Sequence, residues 1–275
     1  MTDKVRIGAL ALSWIMWAAV GCTTAVVVSG CAGGAGAGGM NTDRVTDSDE
    51  SGAHKRARLR LELAVAYFDK GQTTDALDHL KQSIAADPNL FEAYNMRGLI
   101  YMRLNDAPLA EESFKRALAI NPKAATVVHN YAWFLCQQSR YGESEPLFNS
   151  VLSDPTYGDK AKTWMAQGLC QMRANKPAEA EQSFTHSLEL DAANPITGYN
   201  LSSLLYQRGE FVRAQFYVRR INNSQYANAE SLWLGIKVER RMENRDAAAQ
   251  LSTQLKKRFP AARETGALDR GAFNE

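Results

Sequence analysis

The sequence predicts an all-α protein: about six helix–turn–helix units stack into a right-handed superhelix behind an export signal and a flexible linker. Three observations carry this. Asp87-Pro88-Asn89 and Asn121-Pro122-Lys123 lie 34 residues apart, and the segments before them align, Tyr67 with Tyr101, Ala76 with Ala110 and Leu80 with Phe114. From about residue 55 onward the chain is dominated by Leu, Ala, Glu, Gln, Lys and Arg, all strong helix formers. The first 30 residues have the charged-then-apolar order of a secretory signal.

In chain order, the signal comes first. Lys4 and Arg6 precede an apolar run from Ile7 to Val20. The stretch Ile7 to Gly30 carries no charge, so an uncleaved membrane helix is the competing reading. Small residues at the end of the run favour cleavage. Val28-Ser29-Gly30-Cys31 resembles the bacterial lipobox, which implies a signal over 1–30 and lipidation of Cys31 as the first mature residue. Ala19-Val20-Gly21-Cys22 is the alternative, with Ala in the aliphatic place. In such lipoproteins, Ala rather than Asp after the cysteine implies sorting to the outer membrane. One acyl chain binds a bilayer only marginally, whereas the three of a mature lipoprotein hold it stably. Residues 31–56 read as a linker, Gly/Ala-rich from Ala32 to Gly39 and acidic from Met40 to Gly52. Gly34-x-Gly36-x-x-Gly39 matches a dinucleotide fingerprint in letters, but no helical pattern follows to receive a pyrophosphate.

The repeats follow. Tyr94, Gly98, Tyr101, Ala110, Phe114, Ala117 and Pro122 resemble the tetratricopeptide pattern, a helical hairpin of 34 residues. Gly98 and Ala110 are small where two helices approach, Tyr101 and Phe114 fill the space between hairpins, and Pro122 cannot continue a helix. The array spans 57–260, in units near 57–90, 91–124, 125–158, 161–194, 195–227 and 228–260. Pro155 to Lys160 lengthens one connection by about two residues. Arg97 stands where the pattern has Leu, and Ser144 where it has Ala, so packing should differ locally. The last repeat helix carries Gln250, Thr253, Gln254, Lys256 and Lys257, as suits a terminal helix facing water, and 261–275 reads as a loose tail.

Little is left for chemistry. A net charge of +2 gives no basic footprint for nucleic acid. His54, His79, His129 and His186 are scattered without metal-ligand spacing, and no nucleophile elbow or phosphate loop occurs. No catalytic residue, metal, cofactor or small-molecule substrate is expected, and the chain reads as a non-enzyme. Cys136 and Cys170 lie one repeat apart on first helices, so a disulfide is conceivable in an oxidising compartment, although buried free thiols are the favoured reading. The first helices of such arrays line a concave groove. Its candidate residues are Leu61, Val65 and Phe68 in the first unit, Asn95, Leu99 and Met102 in the second, and His129, Trp133 and Cys136 in the third. Met165, Leu169 and Met172, then Tyr199 and Tyr206, continue the line. Exposed together, they form an apolar trough for a peptide, with Trp and Tyr as anchors. The Lys/Asn set that clamps C-terminal carboxylates is not found.

A narrower resemblance rests on Asn130-Tyr131-Ala132-Trp133-Phe134-Leu135-Cys136 with Arg140-Tyr141, on Leu204-Leu205-Tyr206-x-x-Gly209-Glu210-Phe211, and on Leu255-Lys256-x-x-Phe259-Pro260. These resemble the type IV pilus biogenesis lipoproteins PilF and PilW. The resemblance implies a pilotin, a lipid-anchored, periplasm-facing outer-membrane scaffold that binds the pilus secretin and promotes its localisation and assembly. The alternative expectation is another outer-membrane repeat lipoprotein, an adaptor for an envelope protease or cell-wall hydrolase or a part of β-barrel assembly.

Overall fold

A computed structural model describes residues 51–273. The signal over 1–30, both lipidation candidates Cys22 and Cys31, and the linker up to residue 50 lie outside the described residues. Within them are thirteen α-helices and no strand. Twelve form antiparallel hairpins: α1 Gly52–Asp69 with α2 Thr73–Ala86, α3 Phe91–Arg103 with α4 Ala107–Ile120, and α5 Ala125–Gln137 with α6 Tyr141–Ser153. The series continues with α7 Lys160–Arg173 and α8 Pro177–Leu190, α9 Pro195–Gln207 and α10 Phe211–Asn222, and α11 Ala229–Arg241 and α12 Arg245–Arg258. A short α13, Arg263–Asp269, closes the array. This is the tetratricopeptide superhelix that the 34-residue period predicts.

Local chemistry sets both kinds of turn. Within every hairpin the residue that reverses the chain has positive φ: Gly71, Asn105, Ser139, Asn175, Gly209 and Glu243. The N–H one residue later reaches back to close the first helix, as from Gln72 to Tyr67 O and from Asp106 to Tyr101 O. That is the Schellman closure, repeated in each unit. Between units, an Asp or Asn side chain accepts from the N–H two residues on, at Asp87, Asn121, Asp154 and Asp191. The Asp-Pro and Asn-Pro signals are therefore Asx turns that a proline stiffens.

Packing repeats with the same period. A Cβ on Gly98 would lie 2.7 Å from the Phe114 ring, and one on Gly168 would lie 2.6 Å from the Phe184 ring. Glycine is thus required by close approach in the second and fourth units. Ala132 and Phe148 hold the corresponding places in the third, both fully buried. In the sixth the sizes are exchanged: Ile236 is buried on the first helix and Ser252 stands on the second.

Both departures from the repeat pattern are accommodated by polar bonds. Ser144 Oγ donates to Ala132 O at 2.7 Å, satisfying a hydroxyl that is wholly buried. Arg97 Nε donates to Ser113 Oγ, and its guanidinium lies over the Tyr94 ring.

Three expectations need correction. The linker does not run to residue 56, because Ser51 Oγ caps α1 by accepting from His54 N and the helix starts at Gly52. The tail over 261–275 is not loose throughout. Ala267, Leu268 and Phe273 pack against Leu232, Trp233 and Ile236 of α11, burying an apolar side that the last hairpin leaves open. Cys136 and Cys170 are not free thiols, since a disulfide joins them with Cα atoms 5.7 Å apart.

Candidate partner-binding groove

The first helices α1, α3, α5, α7, α9 and α11 neighbour one another directly, and their outward positions fall into three columns. One column runs Leu61, Asn95, His129, Met165, Tyr199 and Trp233, and the next Val65, Leu99, Trp133, Leu169, Ser203 and Lys237. The third runs Phe68, Met102, Cys136, Met172, Tyr206 and Arg240. Leu61, Phe68, Asn95, Leu99, Met102, Trp133, Met165, Leu169, Met172, Tyr199 and Tyr206 are all half-buried, and Val65 is exposed. A trough residue needs this balance, because one flank packs in the array and the other stays accessible.

Two candidates do not belong to the open surface. His129 is only 4% exposed, with Nδ1 2.8 Å from Thr163 Oγ1 on α7 and its ring edge-on to Phe148. Burial, reinforced by Lys162 nearby, lowers its pKa to about 4, so it is a neutral joint between units. Cys136 is buried in the disulfide.

The groove extends past the sequence-predicted residues onto α11. Trp233 and Lys237 continue the columns by 34 residues from Tyr199 and Ser203, a spacing already visible in the sequence. Here a cavity of about 400 Å³ opens between α9 and α11, lined by Tyr199, Tyr206, Trp233, Lys237, Arg241 and the tail residue Phe273 among others. Lys237 Nζ stands 5.4 Å from the Tyr206 ring centroid and 5.8 Å from that of Trp233. Cations also flank the aromatics elsewhere in the groove, as Arg103 over Phe68 and Arg173 over Trp133.

Away from the groove, ion pairs bridge successive units. Glu111 meets Arg140 at 2.8 Å, Glu145 meets Lys176 at 3.1 Å, and Glu181 meets Arg213 at 2.8 Å and also Arg208. The three glutamates occupy the same place on successive second helices. Burial raises the Glu111 pKa, but bonds from Arg140, Lys115 and Tyr131 outweigh it and hold the carboxyl at about 2. Burial and that carboxylate push Tyr131 up to about 12. In the last pair the charges are exchanged: the buried Glu239 of α11 accepts from Arg219 and Gln215 of α10.

The remaining histidines are held structurally, His54 against Asp87, His79 stacked on Tyr67, and His186 beside Glu189 and Trp164. Among the described residues no cluster of His, Cys, Asp or Glu is arranged for a metal ion. No helix among them is long and apolar enough to cross a membrane.

Stacked hairpins with an accessible trough define a tetratricopeptide-repeat protein, and tetratricopeptide profiles match residues 56–125 and 161–194. The type IV pilus assembly protein PilF of Pseudomonas aeruginosa is 29% identical over 240 residues, covering 87% of this chain and 92% of that protein. The solved structure of Pseudomonas aeruginosa PilF matches with a TM-score of 0.72 at 28% identity, covering 80% of this chain and all of the other. That of PilW, described as a widely conserved type IV pilus biogenesis factor, matches at 0.70 and 28% identity, covering 77% and 97%. Over most of its length the chain is thus similar to the type IV pilus factors PilF and PilW, and its hairpins are tetratricopeptide repeats.

Proposed function

We propose that this protein is a pilotin: a non-enzymatic outer-membrane lipoprotein whose groove binds subunits of the type IV pilus secretin and whose acyl chains at Cys31 carry them to the membrane. The similarity to PilF and PilW over most of the chain is the observation that carries the reading, because both are described as type IV pilus factors. The trough adds a means of binding. Trp133, Leu169 and Met172 offer apolar contact on rigid helices, which lowers the entropic cost of holding an extended segment. The Cys31 anchor supplies localisation independently of the groove.

The two parts separate experimentally. Cys31→Ser should leave secretin recovery in a pull-down intact and misplace the assembled ring away from the outer membrane. Trp133→Ala should do the reverse, lowering recovery while the protein stays at the membrane. Recovery of an envelope hydrolase in place of the secretin from solubilised membranes would overturn the assignment.

A further inference from the structure

The groove changes chemistry along its length, and the change gives it a direction. In the column Val65, Leu99, Trp133 and Leu169 the first four units present apolar side chains, and then Ser203 and Lys237 follow. Arg241 stands one turn beyond Lys237 on α11, and Glu230 lies two turns before it, all three lining the same cavity. Seven helical positions separate Glu230 from Lys237, about 10 Å of rise. Three residues of extended peptide cover about the same distance. The cavity falls within the size range of small recognition sites, and its lining combines aromatic side chains with the charged Glu230, Lys237 and Arg241.

We propose that this cleft between α9 and α11 is a specificity pocket for an extended partner segment that places an Asp or Glu side chain at Lys237 and Arg241. This rests on the groove reading above and assigns the partner's chemistry and polarity. The apolar part of the segment lies over Trp133 and Leu169, and the acidic part ends the path at α11. Lys237 Nζ lies over the Tyr206 and Trp233 rings, inside the cleft. Desolvation by burial lowers its pKa, and an incoming carboxylate opposes that shift. The tail completes the wall: Phe273 stacks on Trp233 at 5.2 Å, and the Arg240 guanidinium also lies against its ring.

The test uses the full chain purified in detergent and a display library of random short peptides. Selected peptides should be enriched in Asp or Glu at one position. They should bind Lys237→Glu about tenfold or more weakly and recover with Lys237→Arg, while Lys81→Glu, exposed on α2 away from the groove, leaves that preference intact. No selected peptides, no acidic enrichment, or equal binding to Lys237→Glu with an unchanged circular dichroism spectrum would overturn the pocket. A secretin pull-down separates the two readings. Secretin recovered equally by wild type and Lys237→Glu removes the pocket and leaves the pilotin assignment. Acidic peptides held at Lys237 with no secretin recovered do the opposite.

Discussion

Two neighbouring junctions in the array solve the same problem with different chemistry. Where the second unit meets the third, the 34-residue spacing is kept and the joint is aromatic. Phe114 packs 6.0 Å from Tyr131 and 5.8 Å from Phe134, and the Glu111–Arg140 pair closes the outer side. Where the third meets the fourth, two extra residues lengthen the connection and the joint is cross-linked. The Cys136–Cys170 disulfide and the His129–Thr163 bond both tie α5 to α7. A longer connector defines the register of stacked hairpins less tightly, and specific bonds between first helices restore it. The contrast shows that units need not carry identical interfaces to keep one groove continuous.

The largest expected effect lies in the aromatic junction. Phe114→Ala removes a fully buried ring that fills the space left by Gly98 and touches both aromatics of the next unit. Its cost should be about 3–5 kcal/mol, read as a lowered denaturation midpoint in urea. Cys136→Ser paired with Cys170→Ser attacks the other junction. The bridge closes a loop of 34 residues, which in the chain-entropy model corresponds to about 3–4 kcal/mol. A reducing agent should lower the melting temperature of the wild type and leave the double variant unchanged. If reduction has no effect on the wild type, the cross-link is not what compensates for the longer connector.

The contrast between junctions also decides what could be read in advance. Phe114, Gly98 and the Asn-Pro turn repeat at a fixed period, so the hairpins and the inserted residues near Pro155 were legible. The positive-φ turn residue was not, because Gly, Asn, Ser and Glu all occupy it and no single residue type marks it. Helical spacing alone puts His129 in the groove, in line with Asn95 and Met165. Its burial comes from Thr163 and Phe148, on other helices, and one helix's periodicity carries no record of them. The Cys136–Cys170 bridge is hidden for the same reason, since a 34-residue separation does not report whether two thiols face one another. The charge of Lys237 masks its equivalence with Trp133 in the sequence, and the few apolar residues of α13 gain stability only by docking on α11.

Acidification offers the finest distinction between the junctions. His129 has a folded pKa of about 4, below its ordinary value of 6.5, so between these values the unfolded chain binds the proton that the folded chain excludes. Stability from this group is therefore fully present above pH 6.5 and is lost as pH falls through 4, by up to about 3 kcal/mol. Glu111 is depressed from 4.5 to about 2, so its contribution is present above 4.5 and lost only as pH falls towards 2. The cross-linked junction should thus loosen first and the aromatic one later. Amide exchange measured from pH 7 downward, corrected for intrinsic rates, should lose protection in α5 and α7 before α4. In His129→Gln, which cannot take up the proton, the first loss should disappear while the second remains. Simultaneous loss in all three helices would mean that the array opens as one cooperative body, with the two joints too strongly coupled to yield separately.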